Sequence, residues 1–204
     1  MALDRLGRRA FVLDSAKDVF SEKGYHDTSI EDIIQRAGIA RGTFYLYFKN
    51  KRDLFDRLLD ELLKNIRAQI LPIELTPDGP PPVAQIRANF RRVLDLLLQD
   101  VELTRIVLLH ALGLDKEFDQ KLLDFDERIA ETLARSLELG IEMGLVRPCE
   151  PLVVAHCVMG CIKQVVRRLT TQPQRRPLPA LDKLVDEVLA FGLSGTYAGP
   201  KGDS

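Results

Sequence analysis

An all-α fold of about nine helices is expected from three observations. Apolar residues recur at three- and four-residue steps along almost the whole chain. Glycines and prolines punctuate the ends of these periodic runs, as at Gly24, Gly38, Gly113, Gly144, Pro72 and Pro148. The 204 residues also suffice to bury a sizeable core, as one large domain or two small ones.

The first helix is expected from about Leu3 to Lys23, closed by Gly24, with Phe11, Leu13, Ala16, Val19 and Phe20 on its buried side. Thr28 and Ser29 are N-cap residues, and Thr28 with Glu31 fits a capping box. Ile30, Ile33, Ile34 and Ala37 form the stripe of a second helix, and Gly38 is the residue type that ends a helix in the left-handed conformation. Ile39 restarts the apolar pattern, and a third, very short helix follows through Arg41, Gly42, Thr43, Phe44 and Tyr45. This is a helix-turn-helix, whose second helix lies in a DNA major groove. A helix so short is unstable alone, so Ile39, Phe44 and Phe48 must anchor it. Arg41, Thr43, Tyr45 and Tyr47 are left outward, with Lys49, Lys51 and Arg52 beyond. Arg suits guanine, and hydroxyls and ammonium groups suit phosphates. The expected DNA-binding residues are Thr28, Ser29, Arg41, Gly42, Thr43, Tyr45, Tyr47, Lys49 and Lys51.

Asn50 can cap a fourth helix, which carries Leu54 to Ile70 away from the helix-turn-helix and forms the natural lever into the rest of the chain. The segment Thr76 to Pro82 reads as a surface loop. A fifth helix follows to Leu98, with Arg87, Arg91 and Arg92 opposite its apolar side, and then a short, almost wholly apolar sixth. The seventh runs from about Asp115 to Met143, apolar on one face and charged on the other. The eighth, about Pro151 to Thr170, and the ninth, about Leu178 to Tyr197, hold more apolar surface than one small domain covers from inside. That surface is either ordinary core or a contact between two copies as a four-helix bundle. The contact residues would be Val158, Cys161, Ile162, Val165, Leu169, Leu181, Leu184 and Val188.

Residues from about Arg9 to Leu54 resemble the N-terminal domain of the TetR family of bacterial transcriptional regulators. The resemblance rests on Val12, Leu13, Ala16, Phe20, Gly24, Tyr25, Thr28, Ile33, Ala37, Gly38, Ile39, Gly42, Thr43, Tyr45, Tyr47, Phe48, Lys51 and Leu54, which align without a gap. Phe44 and Ile34 depart slightly from the family pattern but stay apolar. The resemblance implies a helix-turn-helix domain over residues 1–49 and a helical ligand-binding and dimerisation domain over 50–204. It also implies a homodimer on a near-palindromic operator of double-stranded DNA, acting mostly as a repressor, with an effector moving the fourth helix.

Candidate effector-binding residues are Ile66, Phe90, Leu94, Leu109, His110, Phe125, His156 and Met159, an apolar set that suits a small hydrophobic or amphipathic effector. His110 and His156 stand in apolar helices, and a buried His needs a hydrogen-bond partner. Arg87, Arg91 and Arg92 either hold a phosphate-bearing head group or form a solvated basic face. Cys157 and Cys161 are expected to be inert core rather than a metal or redox site. No metal and no cofactor is expected, and no nucleophile, carboxylate pair or phosphate loop suggests an enzyme. With 29 basic against 30 acidic residues, bulk charge does not make the chain a polyanion binder; the basic charge is local. No segment resembles a signal peptide or a membrane span, so a cytoplasmic location without membrane attachment is expected. The alternative is a helical protein-interaction module without specific DNA binding.

Overall fold

The computed structural model describes residues 5–76, 79–110, 116–171 and 179–196. Among these it contains nine α-helices: α1 (Arg5–Lys23), α2 (Ile30–Ala37), α3 (Arg41–Tyr45), α4 (Lys51–Gln69), α5 (Pro82–Gln99), α6 (Val101–His110), α7 (Lys116–Glu142), α8 (Pro151–Thr171) and α9 (Leu181–Thr196). Their ends have local causes. Gly24, Gly38 and Gly144 all take positive φ where a helix stops, a conformation that costs other residues a steric clash. Pro82 and Pro151 open helices, where a missing N–H costs nothing.

The cap of α2 differs from expectation. Ser29, not Thr28, is the N-cap: its hydroxyl accepts from the Asp32 N–H at 3.1 Å, and the Asp32 carboxylate accepts from the Ser29 N–H at 2.9 Å. Thr28 is unable to serve because its buried hydroxyl donates to the Gly24 carbonyl at 2.6 Å and so closes the α1–α2 turn. A second difference concerns Phe11, which is exposed on α1; the buried side of that helix is Val12, Leu13, Ala16, Val19 and Phe20.

The main core surrounds Phe20, Phe44, Phe48, Phe55 and Phe118, each fully buried. Burial of such a ring is worth about 1.5–3 kcal/mol. This core is continuous across position 50: α6 adds Leu103 and Val107, and α7 adds Phe118 and Leu122. A second cluster joins α5, α8 and α9 through Phe90, Leu94, Val166, Leu184 and Val185. A third, of Ala130, Ala134, Ala155 and Met159, lets α7 and α8 approach closely over small side chains.

Ionic contacts tie the first three helices and α4 to the remainder. Lys17 on α1 reaches Asp100 at 2.7 Å, and Lys121 on α7 reaches Asp60 at 2.9 Å and also Asp56 on α4. Arg52 on α4 pairs with Glu117, and Arg105 on α6 donates to the Ser21 carbonyl at 2.9 Å.

Candidate nucleic-acid interface

The third helix is held from beneath. Phe44 and Phe48 pack 5.7 Å apart in the core, and Ile39 rests against the same cluster. The opposite side of α3 and of the turn after it is solvent-facing: Arg41, Gly42, Tyr45, Leu46 and Lys49 are exposed. The Tyr45 ring stands edge-on to Phe44, with its other side open. A Cβ built on Gly42 would meet nothing within 4 Å, so an approaching backbone has free access there. Arg41 extends along this surface with its guanidinium 6.0 Å from the Tyr45 ring and 3.0 Å from the Glu31 carboxylate.

Ser29 is exposed beside α2, with its hydroxyl engaged by Asp32. The Asp32 carboxyl is held far below the usual carboxylate range, first by the Lys23 ammonium and then by the Ser29 N–H and hydroxyl. Thr43 and Tyr47 are half-buried, and the Tyr47 ring packs against the core near Phe48. Lys49 is exposed, and its backbone N–H donates to Asp53 at 2.9 Å.

Two expected DNA contacts are spent inside the fold. The Thr28 hydroxyl is buried, as above. The Lys51 ammonium donates to the carbonyls of Tyr25 and Thr28, each at 2.6 Å, and of His26 at 3.2 Å. It also lies 4.5 Å from the Tyr25 ring centroid. Burial pushes its pKa down, with the charge of Asp27 opposing. Lys51 therefore stitches the α1–α2 turn to the start of α4 instead of facing outward. One residue was missed: Leu46, 72% exposed beside Tyr45. A large apolar side chain between two tyrosines, beside a basic cluster, was the available signal.

Residues 12–58 match the family model described as bacterial regulatory proteins, tetR family. Over this segment the chain carries the TetR-family sequence. It is 27% identical to the fatty acid metabolism regulator protein of Bacillus subtilis, over 89% of this chain and 93% of that one. The TetR fold is shared along the full length with solved structures. A TetR-family regulator from Syntrophomonas wolfei superposes with a TM-score of 0.72 at 26% identity, covering 94% of this chain and 95% of that one. The FadR regulator of Bacillus subtilis, solved in complex with stearoyl-CoA, gives 0.71 at 25% identity, covering 91% and 98%.

The residues expected to line an effector pocket do not form one set. Phe90 and Leu94 are buried in the α5–α8–α9 cluster, Met159 is buried against α7, and Ile66 packs on the main core. Phe125 is half-buried. The side chains of Leu109 and His110 lie outside the described residues. His156 is exposed, not buried, because it sits on the outer side of α8, 3.7 Å from Glu127. It needs no ligand to satisfy it. Cys157 is likewise exposed and not core. Arg87 and Arg91 are engaged by Asp182 and Asp186 of α9, and Arg92 donates to the Gln69 carbonyl at 3.2 Å. A cleft of about 250 Å³ does open between α1, α4, α5 and the start of α6, lined by Leu13, Lys17, Leu58, Leu62 and Leu103 among others. It includes none of the expected residues.

The residues expected at a contact between copies are placed as follows. Ile162, Val165, Leu169, Leu181 and Val188 pack against their own chain's α5–α8–α9 cluster, and Leu184 is buried in it. Val158 and Cys161 are half-buried. The outer face of α8 is instead Val153, His156, Cys157, Gly160, Gln164 and Arg167. No helix among the described residues is long and apolar enough to cross a membrane.

Proposed function

We propose that this TetR-family regulator is a homodimeric repressor that reads a near-palindromic operator with α3 and lets go when a fatty acyl-CoA binds its second unit. The observation that carries the DNA-reading part is the arrangement of α3. A five-residue helix is pinned by Phe44 and Phe48 so that Arg41, Tyr45, Leu46 and Lys49 face outward together. Arg41 supplies paired donors for guanine, Leu46 an apolar surface, and Ser29 and Lys49 phosphate contacts. Two such helices related by a two-fold axis would meet successive major grooves. Residues 1–49 form the reading head in this view, and 50–204 the part that senses and pairs, although their core is shared. A cytoplasmic location suits such a protein.

The acyl-CoA reading is supported by two relatives: the fatty acid metabolism regulator, and the regulator solved with stearoyl-CoA. The apolar interiors of α5 and α8 suit an acyl chain.

The test is fluorescence anisotropy on duplexes from the DNA flanking the gene, with random duplex as competitor. Specific, saturable binding is expected. Tyr45→Ala should weaken it at least about tenfold, the cost of about 1.4 kcal/mol of contact, with the dimer intact by light scattering. Normal operator binding by that variant would refute the placement of the recognition helix. Stearoyl-CoA should then release the duplex while free CoA does not. No release by stearoyl-CoA would remove the effector assignment and leave the DNA-binding one standing.

A further inference from the structure

The carboxylates around α2 divide into two groups. Asp32 and Glu22 hold the helices of the head together, through Lys23 and Ser29 in one case and Arg36 in the other. Glu31 does something else. It lies in the first turn of α2 and reaches across the turn to Arg41, the first residue of α3, at 3.0 Å. Both side chains remain largely in solvent, Arg41 at 67% and Glu31 at 61%. An ion pair so exposed adds little to stability. On a surface that approaches a polyanion, a carboxylate is moreover a cost to affinity. The pair is thus poorly explained by folding or by DNA affinity alone.

It is explained by discrimination. An unrestrained arginine on this surface can swing to the phosphate backbone of any sequence, which raises non-specific binding. The Arg41 fork has a partner on two sides: Glu31 meets one of its terminal nitrogens at 3.0 Å, and its central carbon lies over the Tyr45 ring, 6.0 Å from the centroid. We propose that Glu31 is a positioning residue for DNA recognition, which keeps the Arg41 guanidinium aimed at base edges and keeps phosphates away from it. The inference rests on the reading of α3 as the recognition helix. Glu31 therefore trades affinity for specificity: it weakens binding to arbitrary duplex more than binding to the operator, where a guanine edge replaces it as the partner of Arg41.

The experiment begins with a duplex selected from a random-sequence library by the wild-type full-length protein. Dissociation constants for that duplex and for a scrambled duplex of equal length are then measured across a salt series, for the wild type, Glu31→Gln, Glu31→Asp, Arg41→Ala and the double variant Glu31→Gln with Arg41→Ala. Glu31→Gln should bind the scrambled duplex roughly fivefold tighter, the size of one unit-charge repulsion near a phosphate in water. It should gain much less on the selected duplex, so the specificity ratio falls. Its salt dependence on scrambled DNA should steepen by about one unit of log–log slope as Arg41 takes up a phosphate. Glu31→Asp keeps the charge and should stay near the wild-type slope. In the Arg41→Ala background, Glu31→Gln should leave the specificity ratio unchanged, because the group it positions is gone. An unchanged ratio and slope for Glu31→Gln on its own would overturn the proposal. Arg41→Ala with wild-type discrimination would overturn the recognition-helix reading and the proposal together, and a library that yields no enriched sequence would overturn the regulator reading itself.

Discussion

At the scale of single residues, the head of the molecule depends on polar groups that face inward. Lys51 is the clearest case. Its ammonium closes three carbonyls at the α1–α2 turn, so Lys51→Met would leave those acceptors short of a donor. A loss of about 1–3 kcal/mol of stability is expected, read from denaturant midpoints at constant slope. Operator affinity should fall only in step with unfolding, in contrast to Lys49→Met, which should weaken binding and reduce its salt slope without a change in stability. Asp32 makes a second residue-scale prediction. Its carboxyl is depressed in the folded state by Lys23 and by Ser29. The stabilisation it gives is therefore fully present above the unfolded carboxyl value near 3.8 and is lost as pH falls below that toward the folded value. Asp32→Asn should be less stable than the wild type at neutral pH, and the gap should close on acidification. Thermal melts followed by circular dichroism from neutral pH to about pH 2 would show it, and parallel curves for the two proteins would contradict it.

At the scale of helices, the ends were legible and the partners were not. Gly24, Gly38, Pro82 and Pro151 act on the backbone next to them, so their consequences are readable in a short window. The buried stripe of α2 and the pinning of α3 by Phe44 and Phe48 were readable for the same reason. Lys51 was misplaced because its partners lie more than twenty positions away, and a lysine beside a recognition helix looks the same in sequence whether it faces DNA or carbonyls. Which side of α8 packs on its own chain was not legible, because a helix apolar over most of its circumference has no periodicity to choose a side. Phe118 illustrates the same limit. The apolar stripe of α7 marks it as inward but not what it meets: α7 inserts it beside α4, 5.1 Å from the Phe55 ring and 2% exposed. Phe118→Ala should cost about 3–5 kcal/mol by opening a cavity there. Because α7 docks on α4 at this point, the variant should also respond more weakly to an effector than the milder Phe118→Leu, judged by release of a bound duplex.

At the scale of the whole molecule, the proposed dimer poses the question of which surface would pair two copies. A stable contact needs roughly 800 Å² from each partner. The half-buried apolar residues of α8 and α9 are already packed on their own chain, so they offer little of that area. The large apolar side chains left outward on these two helices are Leu152 and Val153 on α8, the latter 61% exposed, and Phe191, 71% exposed on α9; Cys157 and Gly160 also lie on the outer face of α8. Gly160 has open space where a Cβ would stand, which permits another helix to approach closely. Large exposed apolar groups on neighbouring helices are costly in a monomer and mark a contact. A charge placed at Phe191 or Val153 should therefore split the dimer. Phe191→Glu is expected to halve the mass in light scattering while the helical signal and its melt stay close to the monomeric baseline. Operator affinity should drop steeply, since each half-site would have to bind alone. A charge at Val165 or Val188 should act differently. Val165→Asp or Val188→Asp puts a carboxylate against Phe90, Leu94 and Val185, and should unfold the chain's own α5–α8–α9 cluster. The two classes separate by circular dichroism: interface variants keep their helices, core variants lose them. A folded dimer with Phe191→Glu, or a folded monomer with Val165→Asp, would move the contact back to the inner stripe of α8.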